Sequence, residues 1–195
     1  MTLKLKLAFS ILVVLALVIV FIVVKNNNAS SLEHISTVND DITFVHSFNI
    51  SGDSTDLNTS AQGTIFIKDD NSIQIAAFVN IDPEDWGGVA FYIPKGWIIS
   101  NISSNYPEQQ PSPNDVSIWT TTDSKWNTMI EVGRNREYKQ SEGGRGTVII
   151  DLVPSSNTRT DVERSISVEV GSSEVNGVKT MGTDSIEIPI SFGQK

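Results

Sequence analysis

The sequence predicts an all-β fold, an antiparallel β-sandwich preceded by one N-terminal transmembrane helix. Three observations carry this reading. An 18-residue apolar run opens the chain, period-2 hydrophobic alternation takes over from Ile42, and turn signals recur at short intervals with no amphipathic helical period between them. Of the 195 residues, 39% are apolar, enough to build a core in one domain of ordinary size.

The apolar run is Leu7 to Val24, LAFSILVVLALVIVFIVV, broken only by Ser10. As a helix it would span about 27 Å, close to the thickness of a hydrocarbon core. Lys4 and Lys6 precede it and only Lys25 follows, so the positive-inside rule places the N-terminus in the cytoplasm and the remainder outside. The expected layout is a signal-anchor over 1–25, a polar stalk over 26–40 and an extracytoplasmic domain over 41–195, in a single-pass protein of the cell membrane. Cleavage as a secretory signal is the alternative. It is disfavoured by the length of the run and by the poor small-residue site in NNNASS.

From Ile42 onward the elements are short strands. In ITFVHSFNI, Ile42, Phe44, His46, Phe48 and Ile50 alternate with Thr43, Val45, Ser47 and Asn49, the pattern of a strand with one buried face. GTIFIKDDNSIQIAAFVNI reads as a hairpin turning at Lys68 to Ser72, where Asp and Asn side chains suit a tight turn. Further strands are expected at Val89–Ile93, Trp97–Ile102, Val116–Thr121, Thr128–Val132, Thr147–Val153, Ser165–Val170 and Ile186–Phe192. Gly143, Gly144 and Gly146 around Arg145 are read as a mobile hairpin loop.

The stretch FYIPKGWII joins two of these strands. Pro94 fixes φ at the turn and Gly96 closes it, so Trp97 enters the next strand already aimed at one sheet, with Phe91 and Ile93 before it and Ile98, Ile99 and Ile102 after it as the neighbours expected to bury it. The run Pro94-Lys95-Gly96-Trp97 between apolar residues resembles the strand-to-strand corner of immunoglobulin-like and cohesin-like domains of prokaryotic surface proteins. The resemblance covers about 20 residues. It implies a binding or spacer module outside the cell and transfers no functional residue; the cysteine pair of a true immunoglobulin domain is absent.

Trp86 raises a different expectation. It lies between DPED and GG in a segment with no strand period, which leaves exposure open beside the commoner fate of a half-buried loop anchor. An exposed ring beside carboxylates suits a sugar, whose apolar face stacks on the ring while polar groups bond its hydroxyls. Trp119 and Trp126 would extend that surface, and Trp86, Trp119, Trp126, Asp85 and Asp123 form the candidate ligand-binding set. A half-buried loop anchor is the competing reading of Trp86.

Other chemistries are weaker. Setting aside Lys4, Lys6 and Lys25 leaves 11 of the 14 basic residues against all 23 acidic ones, a net charge of −12 that argues against nucleic acid. No cysteine is present, which removes disulfides, thiol catalysis and a lipid-modified cysteine. The two histidines, His34 and His46, make zinc a poor candidate in a chain without thiols. Calcium is conceivable at Asp53/Asp56/Asn58, Asp69/Asp70/Asn71 or Asp82/Glu84/Asp85, although each cluster sits in a predicted turn where such residues bond the backbone anyway. No cofactor is expected. Glycosidase chemistry would need two carboxylates across a cleft, for which Glu131 and Asp151 can be nominated. The expectation that emerges is a non-catalytic module contacting a surface protein or a cell-wall glycan. The alternatives are a minor subunit of a pilus- or archaellum-like machine and a glycan-active enzyme.

Overall fold

The computed structural model describes residues 42–111, 115–140, 142–156 and 164–192. The leader, the stalk and the membrane placement expected from them lie outside the described residues. Those described belong to one unit, Asp41–Lys195, and contain no helix long and apolar enough to cross a membrane.

Among the described residues ten strands follow one another: β1 (Ile42–Ser51), β2 (Ser60–Lys68), β3 (Ile73–Ile81), β4 (Val89–Pro94), β5 (Trp97–Ser104), β6 (Val116–Thr120), β7 (Trp126–Val132), β8 (Gly144–Pro154), β9 (Arg164–Val175) and β10 (Val178–Ile190). They form two five-stranded sheets, β1-β2-β3-β8-β5 and β10-β9-β4-β7-β6. Every neighbouring pair is antiparallel.

The period-2 pattern sets which side chains meet between the sheets. Ile65, Ile75, Ile150 and Leu152 of the first sheet share one core with Phe91, Ile130, Val168 and Ile188 of the second. Burying each such side chain contributes about 1.5–3 kcal/mol before chain entropy is set against it. The intervening residues face outward, and the result is a β-sandwich.

The FYIPKGWII corner carries the chain from one sheet to the other, since β4 belongs to the second and β5 to the first. Gly96 has φ of 103°, a conformation L-residues avoid. Trp97 is buried, stacks on Phe192 at 5.1 Å and donates its indole N–H to the Asn71 carbonyl at 3.0 Å. A bulge between Ile99 and Asn101 then restores Ile102 to the core side.

Two expectations need correction. The final strands are a long hairpin closed at Asn176-Gly177, both at positive φ, and not two short strands separated by a loop. Gly144 and Gly146 belong to β8 and pair with Ile81 and Val79. A Cβ on Gly146 would lie 2.6 Å from Tyr106 Cα, so glycine there permits a close chain crossing where a loose loop was expected.

The sheet edges differ in chemistry. β10 presents Lys179, Asp184, Glu187 and Pro189, whereas β1 contains no Lys, Arg, Asp, Glu or Pro, and its Ile42, Phe44 and Val45 are exposed.

Candidate functional site

The outer face of the second sheet concentrates aromatic and charged side chains. Register alone aligns a row across all five strands: Trp119 opposite Met129, Met129 opposite Tyr92, Tyr92 opposite Ser167, and Ser167 opposite Glu187. Because Phe91, Ile130 and Val168 point into the core, their neighbours in this row point out.

Trp126 joins the row through a bulge. Ile93 pairs with Thr128 but Pro94 pairs with Trp126, which leaves Asn127 as an extra residue and reverses the facing of Trp126. Its ring lies 5.6 Å from that of Tyr92, and its indole N–H donates to the Ser165 carbonyl at 3.1 Å.

Beneath the aromatics is a buried ion-pair cluster. Glu131 is 1% exposed, and its carboxylate accepts from Arg134 Nη1 at 3.2 Å and from Arg136 Nη2 and Nε at 2.7 and 3.0 Å. Arg134, whose side chain is 4% exposed, also donates to the Gly87 carbonyl at 2.6 Å and lies 3.8 Å from Glu169. Burial of this kind is tolerated because the carboxylate is both paired and hydrogen-bonded. Tyr92 donates to Glu169 at 2.8 Å. Burial raises the Glu169 carboxyl above its usual value, opposed by the Tyr92 hydroxyl and Arg134; burial, with the Glu169 charge beside it, pushes Tyr92 up to about 12.

Trp119 caps this cluster. The Arg136 guanidinium lies 4.1 Å from the centre of its ring, and the indole N–H donates to Ser117 Oγ, which in turn donates to Glu131. One face of the ring is thereby fixed while the residue remains 43% exposed. A rigid, solvated aromatic on a supported strand is a surface that needs little ordering to bind.

The five residues nominated from sequence separate into three environments. Trp119 and Trp126 share the outer face. Asp123 is on the β6–β7 turn, where it accepts the amides of Lys125 and Trp126 at 2.6 and 3.3 Å and so shapes the approach to Trp126. Trp86 and Asp85 differ from expectation. Trp86 is only 8% exposed, packed edge-to-face on Tyr138 at 5.1 Å. Asp85 is fully buried and accepts from Thr59 Oγ1 at 2.5 Å, from the Gly87 amide at 2.7 Å and from the Ser172 hydroxyl. The DPEDWGG segment is pulled inward because Gly87 lies flat on Gly171, where a Cβ would come within 2.1 Å of the carbonyl oxygen. It is a loop anchor.

Other nominated groups also occupy structural positions. Asp82 accepts the Glu84 and Asn58 amides at 2.9 and 3.1 Å, which hold its carboxyl below the usual carboxylate range. Asp70 accepts the Ser72 amide at 2.8 Å in the β2–β3 turn. Glu131 and Asp151 do not converge: the first lies on the outer face of the second sheet, and the second bonds Gln74 and Asn101 on the first sheet. Tyr92, Arg134, Arg136 and Glu169 carry no signal in the sequence alone: Tyr92 meets Glu169 across strands from 77 residues away, and nothing local shows that Arg134 and Arg136 fold back onto a buried Glu131.

A cleft opens at each end of the outer face. One, of about 770 Å³, is lined by Asp115, Arg134, Asn135 and Arg136 among others. The second, at the Pro94 end, is lined by Lys95, Lys125, Arg164 and Glu187 among others. Comparison with protein-family models, with curated proteins and with solved structures found no match for the chain.

Proposed function

We propose that the protein is a membrane-anchored, extracytoplasmic β-sandwich of the immunoglobulin-like or cohesin-like kind. In this reading it binds a surface glycan through the outer face of its second sheet, without catalysis. The observation that carries the proposal is Trp119: a large aromatic, exposed on a paired strand, its ring held from one side by Arg136 and in line with Tyr92 and Trp126. Sugar rings stack on such surfaces, and the Ser117 and Arg136 polar groups beside the ring suit hydroxyls. The apolar leader would tether the domain to the membrane, with the polar stalk as spacer.

The test is retention of the full-length chain on insoluble xylan, chitin and cellulose. Trp119→Ala is expected to weaken retention about tenfold on the polysaccharide that binds best, as for loss of a central aromatic anchor. Its circular dichroism should be unchanged because the ring lies outside the core. Equal retention of wild type and variant on all three would overturn the glycan reading.

A further inference from the structure

The cleft at the Pro94 end of the outer face, beyond Trp126, has a volume of about 590 Å³, walled by Pro94 and Pro189 and lined by Lys95, Lys125, Arg164 and Glu187. We infer that it is an anion subsite, taking the carboxylate or phosphate of an acidic glycan whose sugar rings lie along Trp126, Tyr92 and Trp119. This deepens the glycan reading and rests on it.

The first argument is charge. Among the described residues, three cations and one carboxylate meet in this cleft of a chain whose net charge is −9. Such a local reversal of sign draws an anion to one place and leaves the rest of the surface repelling it.

The second is construction. Lys95 belongs to the Pro94-Lys95-Gly96 corner, where it is exposed, and its amide is fixed by the Lys125 carbonyl at 3.1 Å. Among the described residues its ammonium makes no hydrogen bond or ion pair. Arg164 is held in place by donation to the Lys95 carbonyl at 2.5 Å and by lying 5.5 Å from the centre of the buried Trp97 ring. Glu187 is already engaged by Lys125 at 3.0 Å and by Ser165 Oγ at 3.0 Å. The Lys125–Glu187 pair is solvent-exposed, and exposed pairs are weak enough to exchange partners.

The third is continuity with the aromatic strip. Lys125 Nζ lies 5.2 Å from the centre of the Trp126 ring, and Trp126 itself bonds the Ser165 carbonyl. The ammonium lies over the ring face, so an anionic group that draws Lys125 away from Trp126 frees that face for the sugar that carries the charge. A neutral glycan would use the strip alone, and a cation would be repelled from the cleft.

The experiment measures binding of the full-length chain, in detergent, to polygalacturonate, to poly(glycerol phosphate), to neutral xylan and to single-stranded poly(dT). Lys95→Glu is expected to weaken binding of the anionic glycan or glycerol-phosphate polymer about tenfold, the size of one lost charge-assisted contact, and to leave xylan binding unchanged. Lys95→Arg should restore it, and added salt should bring wild type towards Lys95→Glu. Binding to polygalacturonate alone assigns a carboxylate, and to poly(glycerol phosphate) alone a phosphate; either supports the inference. Equal binding of wild type and Lys95→Glu to both polymers would overturn it, as would a preference for poly(dT). If Trp119→Ala weakens xylan while Lys95→Glu changes nothing, the subsite fails and the glycan reading stands. If only Lys95→Glu has an effect, the cleft binds anions and the aromatic strip does not bind sugar.

Discussion

Asp85 holds the DPEDWGG loop against the sandwich by accepting three hydrogen bonds in a site closed to water. Asp85→Ala leaves the Thr59 and Ser172 hydroxyls and the Gly87 amide without their acceptor. It should cost about 2–4 kcal/mol in urea unfolding, more than the same change at an exposed turn aspartate such as Asp123. The donors belong to residues 59, 87 and 172, two of them distant in sequence, so nothing local distinguishes Asp85 from a solvated loop carboxylate. Lack of hydrophobic period is common to a free loop and to one pinned by its own side chain. Trp97 is the opposite case. A proline-glycine corner precedes it and apolar alternation flanks it, and its burial is legible from those neighbours alone.

Among the elements, β8 shows most clearly how a backbone crossing constrains a strand. Gly146→Ala forces a Cβ against the Tyr106 backbone, and a loss of about 2–4 kcal/mol is expected in urea unfolding, against well under 1 kcal/mol for a glycine in a free loop. Most strands are legible in the sequence because one face of each is buried, which imposes alternation. The exceptions have physical causes. The β9–β10 arm, Gly171 to Glu187, reads GSSEVNGVKTMGTDSIE and is mainly small and polar, so no hydrophobic period marks the strand pair. Asn176-Gly177 is a strong hairpin signal that alone could have revealed it. The β7 bulge is equally hidden, since strict alternation from Ile130 and Thr128 assigns Trp126 to the core side, and only the extra Asn127 turns its ring outward.

For the molecule as a whole, hydrogen-bonded and ion-paired carboxylates set the response to pH. Asp82 is held below its ordinary value by the Glu84 amide, and Glu187 by Lys125. The stability they contribute is complete above the unfolded carboxylate range and is lost as pH falls through their depressed values. Glu169, raised by burial, acts in the opposite sense: its penalty is relieved as pH falls through its elevated value. Asp82→Asn should therefore be less stable than wild type at neutral pH, with the difference shrinking well below the ordinary carboxylate range, as followed by urea unfolding. Long-range pairing also decides the strand order. Alternation tells a strand which side to bury and says nothing of its neighbours, so two layers are predictable while the place of β8 between β3 and β5 is not.

The uncharged margin formed by β1 has a practical corollary for handling the protein. Among the described residues no strand pairs with its outer side, and no lysine or proline interrupts the template. Crowded samples should thicken from this side first, and Val45→Lys should raise the concentration at which light scattering begins to climb.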